Sequence, residues 1–172
     1  METLDAKGHS GGLLTAWSPA LNKVATRKLD SVIETKLNDK ETRMDFTLLN
    51  VYGPFYDRKL FWEKFSLAWA KNQPNVILGG DLNLTLATGE VWGENAKQDA
   101  LSSLFLDFFE KMKLVDVAPL KTEPTWRNKR GGAQAISKRL DHFMVEETLL
   151  NGNLTLKSII ETRVIWTTYQ SI

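Results

Sequence analysis

The polarity pattern changes period several times along the chain. Residues 11–17, GGLLTAW, leave a glycine turn for a short apolar run and predict a strand. Residues 31–39 (SVIETKLND) and 44–53 (MDFTLLNVYG) alternate or run apolar, and NDKE at 38–41 reads as the hairpin turn between them. Over 56–72, YDRKLFWEKFSLAWAKN, the period lengthens, and Phe61, Phe65, Ala68 and Trp69 fall on one helical face. Residues 75–80, NVILGG, form a short continuous apolar run, the pattern of a strand buried on both faces. The clearest helix spans 98–114, where Leu101, Leu104, Phe105, Phe108, Phe109 and Met112 recur at helical spacing. Strand-like pieces follow around 124–128, 139–145 and 153–160. Strands outnumber helices, and the helices stand between groups of strands rather than after each one. That pattern predicts an α/β (α+β) layering, with helices outside sheets, rather than a regular βαβ winding.

Composition adds bounds. There is no repeat or linker, so 172 residues make a single domain (1–172), long enough to bury a core. No apolar run approaches the length of a membrane span, and the start METLDAKGHSGG lacks the apolar stretch of a signal peptide. The absence of cysteine excludes disulfides, thiolate chemistry and cysteine-ligated zinc, and fits an intracellular protein. A net charge of +1 gives no global attraction to nucleic acid, so any basic footprint has to be local. Only two histidines, His9 and His142, are available for imidazole chemistry.

The candidate chemistry starts where the 75–80 run ends. Asp81 and Asn83 flank Leu82, and residues two apart at a strand end point to the same side. A carboxylate beside an amide is hard-oxygen chemistry, suited to Mg²⁺ or to orienting a water near phosphate. The alternative is an Asx turn in which both side chains cap their own backbone.

GGLLTAW, LLNVYGP, VILGGDLNLTL, PTWRNKRGG and KRLDHFMVEETLL occur in that order. The series resembles the endonuclease/exonuclease/phosphatase superfamily, and within it the endonuclease domain of plant LINE-type (non-LTR) retrotransposons. The resemblance implies a four-layered α/β/β/α sandwich and Mg²⁺-dependent hydrolysis of a phosphodiester in DNA. It also implies roles for individual residues. Tyr52 resembles the tyrosine that contacts the scissile phosphate, and could equally be a strand-end aromatic. Asp81 resembles the residue that aligns the attacking water or binds metal, with Asn83 as its amide partner. Asp141 resembles the carboxylate that holds the catalytic imidazole; alternatively it pairs with Arg139, which shares its face at spacing two.

Two departures from the pattern stand out. The superfamily opens with a strand–helix–strand segment carrying the main Mg²⁺-binding Glu, and only seven residues precede Gly8. It closes with Ser-Asp-His, where this chain aligns Trp166, Thr167 and Thr168. A threonine cannot carry the charge or the proton of an imidazole. The expectation is therefore an incomplete sandwich, an inactive or nearly inactive endonuclease remnant, and an unpaired sheet edge that invites aggregation. A phosphatase of the same superfamily is the less favoured reading.

A second candidate surface lies between 121 and 139. Trp126, Arg127, Lys129, Arg130, Lys138 and Arg139 form a basic, aromatic-bearing loop that could lie along a phosphate backbone, with DNA as partner and the nucleus as location. The alternative is a solvated hairpin tip whose charges keep it soluble.

Overall fold

The computed structural model describes residues 1–6, 12–69 and 75–150, and the backbone of 154–161 and 164–171. The strands are β1 Glu2–Leu4, β2 Leu13–Thr15, β3 Leu21–Leu29, β4 Val32–Asp39, β5 Asp45–Val51, β6 Val76–Asp81, β7 Val91–Trp92, β8 Leu114–Asp116, β9 Trp126–Arg127, β10 Ser137–Lys138, β11 Asp141–Glu146, β12 Leu154–Glu161 and β13 Val164–Ser171. The helices are α1 Arg58–Trp69, α2 Ser102–Lys111 and the single turn α3 Glu147–Leu150. Six strands form one mixed sheet in the order β3-β4-β5-β6-β11-β8. Only β5 and β6 are parallel within it; α1 makes the crossover between them. Two small sheets, β1-β2 and β7-β10-β9, and the β12-β13 hairpin complete the described strands.

The period-2 reading of the strands accounts for both faces of the large sheet. Leu49, Val51, Val76, Leu78 and Met144 join one apolar cluster, while Phe46, Ile77, Phe143 and Val145 join another. Alternate residues of β5, β6 and β11 thus supply two cores, as expected of strands covered on both sides. The larger cluster is built with α1 and α2: Trp62, Phe65, Phe105, Phe108 and Phe109 interlock in edge and tilted ring contacts 5.0–6.2 Å apart. The face of α1 is shifted from the predicted one. Trp62, only 1% exposed, anchors it with Phe65 and Trp69, while Phe61 is partly buried. The helix opens later than its polarity pattern suggested, at Arg58, following Asp57 in a left-handed conformation (φ 51°).

The strand β3 carried no usable signal in the sequence, because most of its residues face solvent on both sides. It holds its place by an eight-rung antiparallel ladder with β4, broken by a bulge between Lys23 and Ala25. As one edge of the sheet it bears Lys23, Arg27 and Lys28, and Glu2 of β1 bridges Lys23 at 2.7 Å and Lys28 at 3.0 Å. A bulge, lysines and a covering strand are devices that blunt edge-to-edge pairing. No described helix is long and apolar enough to cross a membrane.

Candidate active site

The site is built where the C-terminal ends of the parallel strands β5 and β6 meet the start of β11. Two glycines allow the backbones there to approach closely. A Cβ on Gly80 would stand 2.1 Å from the Val51 carbonyl oxygen, and one on Gly53 would stand 2.1 Å from that of Leu82. Gly80 also has φ +134°, a conformation that L side chains rarely adopt. The two segments are then tied directly. The Gly53 amide donates to the Asp81 carbonyl at 2.7 Å, and Asn83 Nδ2 donates to the Gly53 carbonyl at 2.6 Å. Tyr52, whose amide donates to Ser31 at 2.9 Å, is carried on this tied segment beside Asp81.

From the other side, β11 pairs antiparallel with β6 so that Asp141 lies directly opposite Asp81. The Leu82 amide extends the pairing to the Leu140 carbonyl at 2.9 Å. The hydroxyl of Thr125 accepts from the amides of Leu140 (3.0 Å) and Asp141 (3.2 Å), which fixes the start of the strand. Tyr52, Asp81, Asn83 and Asp141 therefore come together at one end of the sheet, from three segments.

Asp81 and Asn83 satisfy both sequence readings. Asn83 sits in a left-handed conformation (φ 51°), and its amide donates to Asp81 Oδ1 at 3.0 Å, an Asx turn. Asp81 meanwhile stands opposite Asp141 on the β6–β11 ladder, and the Asn83 side chain is held through its Nδ2 on the Gly53 carbonyl. Burial first, then the facing Asp141 carboxylate, pushes the Asp81 carboxyl up to about 6, against the opposing hydrogen bond from the Asn83 amide. Two facing carboxylates are hard-oxygen donors of the kind that hold a divalent cation.

The raised value has a sign that can be measured. The ordinary Asp value is 3.8, so ionising Asp81 opposes folding. The penalty is absent below about pH 4, grows as the pH rises toward 6 and is complete above it. Asp81→Asn keeps an oxygen for the Asn83 amide and removes the charge. We expect it to stabilise the fold by about 1–3 kcal/mol at pH 7.5 and by nothing at pH 4. Urea midpoints at the two pH values measure this, and an equal effect at both would refute it.

Arg139 is the clearest correction to the sequence reading. It is not part of a basic surface but is 3% exposed. Its Nη1 donates to Glu90 Oε1 (2.7 Å) and Asp116 Oδ2 (2.7 Å), and its Nη2 to Asp116 Oδ1 (2.9 Å). Its partners are thus Glu90 and Asp116 rather than Asp141. Buried guanidinium is held where planar, bidentate carboxylate pairing repays its desolvation. Glu90 Oε2 also accepts from the amide of Leu86 at 2.6 Å. His142 completes this buried cluster, with Nε2 3.2 Å from the Leu84 carbonyl oxygen and Nδ1 3.6 Å from Asp116 Oδ1. Burial would raise the Asp116 carboxyl, but His142 and Arg139 outweigh it and hold it down at about 2. Glu90, Asp116 and His142 place one ligand atom each within 4.8 Å of one another, the spacing of a metal cluster. Here the Arg139 guanidinium already bonds both carboxylates.

No sequence motif marked this cluster, because Glu90 and Asp116 stand 49 and 23 residues from Arg139. Neither histidine of the chain is placed on Asp141 among the described residues: His142 is turned to Leu84 and Asp116, and His9 lies outside them, as do the side chains of Trp166, Thr167 and Thr168.

The remaining basic candidates divide by position. Trp126, Arg127, Lys129 and Arg130 are exposed, whereas Lys138 is half-buried in β10 within electrostatic reach of Asp99. The hairpin tip is ordered around Asn128, which donates to the Gln134 carbonyl at 2.8 Å and accepts from the amides of Arg130 (3.1 Å) and Ile136 (3.2 Å).

No family model and no curated protein sequence matches the chain. Among solved structures it is similar to the endonuclease domain of TRAS1, a telomere-specific non-LTR retrotransposon. The identity is 16% and the TM-score 0.63, covering 90% of this chain and 72% of that one. It is also similar to an endonuclease/exonuclease/phosphatase family protein from Bacteroides thetaiotaomicron, at 14% identity and TM-score 0.46, covering 86% of this chain and 59% of that one. A mannosyl-6-phosphatase of the same organism gives 13% identity and TM-score 0.45, covering 86% of this chain and 62% of that one. The likeness to the TRAS1 domain, together with a mixed sheet whose parallel β5 and β6 end at Tyr52 and Asp81, identifies the architecture: the chain has the α/β fold of that endonuclease domain.

Proposed function

We propose that this chain is a nucleic-acid-binding remnant of a Mg²⁺-dependent DNA endonuclease of plant LINE-type retrotransposon origin, with phosphodiester hydrolysis at or near background. One observation carries the reading: Tyr52, Asp81, Asn83 and Asp141, drawn from three segments, converge on one end of the sheet with Asp81 and Asp141 on the same rung. The Asp81 carboxylate would align the attacking water as a hydrogen-bond acceptor. Tyr52 offers a phenol to a phosphate oxygen. A divalent cation held by Asp81 and Asp141, with the Asn83 amide oxygen, would neutralise charge on the phosphate. What the site lacks among the described residues is an imidazole to protonate the leaving oxygen. Loss of one member of a catalytic unit removes most of the rate. DNA as target implies work inside the cell, in the nucleus.

Two measurements test the reading. The folded chain is incubated with supercoiled plasmid in Mg²⁺ beside Asp81→Ala, and both are expected to stay at background. Nicking by the wild type that vanishes in the variant would refute the loss of activity while keeping the site. Duplex DNA affinity is expected to fall with salt as for about three phosphate contacts, from Arg127, Lys129 and Arg130, or roughly 40-fold between 50 and 200 mM. No binding at low salt would end the nucleic-acid reading.

A further inference from the structure

Among the described residues, the strongly exposed aromatic side chains are Phe55 (72%), Tyr56 (77%) and Trp126 (41%). All three lie on segments fastened to the Asp81–Asp141 rung. Phe55 is two residues past Gly53, whose amide bonds the Asp81 carbonyl at 2.7 Å. Two residues of chain reach about 7 Å at most. Trp126 directly follows Thr125, whose hydroxyl accepts from the Asp141 amide at 3.2 Å. The Phe55–Tyr56 loop is pinned at its far end too: Arg58 donates to the Asn83 carbonyl at 3.1 Å and to Asp99 at 2.7 Å. Pro54 removes one backbone freedom within it. The two rings meet edge to face, centroids 5.0 Å apart at 87°, so each steadies the other while remaining open to solvent.

An exposed aromatic pair on a loop braced at both ends contributes little to folding, and the larger aromatic cluster of this protein is buried elsewhere. From these contacts we infer that Phe55 and Tyr56, with Trp126 on the segment tied to Asp141, form a stacking platform for unpaired bases beside the carboxylate site. The site therefore takes single-stranded or locally opened nucleic acid in preference to continuous duplex. Aromatic faces accept any base, so the platform confers strandedness preference rather than sequence preference. The exposed cations of the Trp126 hairpin, Arg127, Lys129 and Arg130, supply the complementary charge for the backbone. This inference rests on the nucleic-acid reading above and assigns that site its substrate form.

The test uses the full chain with a fluorescein-labelled single-stranded 12-mer, its 12-base-pair duplex, and a single strand carrying 2-aminopurine, whose fluorescence changes when it stacks. The wild type is expected to bind the single strand more tightly than the duplex. The double variant Phe55→Ala/Tyr56→Ala is expected to lose about tenfold or more in single-strand affinity, with duplex affinity little changed and an unaltered Tm. Phe55→Trp, which keeps an aromatic face, should retain both affinity and the 2-aminopurine signal. Equal single-strand affinity for wild type and double variant, with salt-sensitive binding intact, overturns the platform and leaves the nucleic-acid reading standing. No binding of either DNA by the wild type overturns both. A fall in Tm in the double variant, or a wild-type dimer that becomes monomeric in it, overturns the platform in favour of a packing or self-association role.

Discussion

Arg139→Ala is expected to destabilise the protein by about 3–5 kcal/mol, because it leaves the carboxylates of Glu90 and Asp116 buried without their cation. For a chain of this size that is a fall in Tm of roughly 10–15 °C. The loss is larger than that of any surface arginine, whose ion pairs contribute about 0–1 kcal/mol. The pairing also ties distant segments, since the Arg139 amide donates to the Glu90 carbonyl at 3.0 Å where β7 and β10 meet. Arg139→Lys should recover only part of the loss, because a lysine cannot reproduce the two-pronged contact with Asp116. Thermal denaturation followed by circular dichroism measures the effect. An unaltered Tm combined with weakened DNA binding would place Arg139 on a nucleic-acid surface and refute its structural role. Exposed Arg127→Ala is the matched control: it should leave the Tm in place and reduce the salt dependence of DNA binding by about one phosphate contact.

Gly80→Ala is expected to cost at least about 3 kcal/mol, from backbone strain and a collision that flexible side chains cannot absorb. The new Cβ would meet the Val51 carbonyl oxygen at 2.1 Å, and φ +134° is closed to it in any case. Relief requires β5 and β6 to separate, which breaks the ties that hold Tyr52 and Asn83 around Asp81. Stability and site geometry should therefore fail together. Gly131→Ala provides the comparison, since a Cβ there meets nothing within 4 Å and its φ of −105° suits any residue. It should change stability by no more than about 0.5 kcal/mol. Urea midpoints for the two variants make the test; similar midpoints would mean that β5 and β6 yield at this point.

The β3 edge illustrates how far local pattern carries. It carries Lys23, Arg27 and Lys28 beside the exposed Val24 and Leu29, is bulged, and is bridged by Glu2. The same polarity that hid β3 from a period-2 search is what protects it. The helices were legible for the opposite reason: Phe105, Phe108 and Phe109 recur at helical spacing and are all buried against the sheet. In α1 spacing chose the face of Phe61, Phe65, Ala68 and Trp69, and packing against α2 turned the helix so that Trp62 is buried in place of Phe61.

For the site, the glycine pair before Asp81 and the short spacings at 81–83 were readable because they act through the local backbone. The continuous apolar run at 75–80 marked one strand as buried on two faces, and the ordered motifs pointed to Tyr52, Asp81, Asn83 and Asp141. Only the tertiary structure decided that Asp141 stands opposite Asp81, that Arg139 turns inward to Glu90 and Asp116, and that Phe55 and Tyr56 are left in solvent at the rim. Strand alternation says that two residues face opposite ways, but not which way is inward; strand register and the charges met across 23 to 49 residues settle that, and neither is written in any local stretch of the chain.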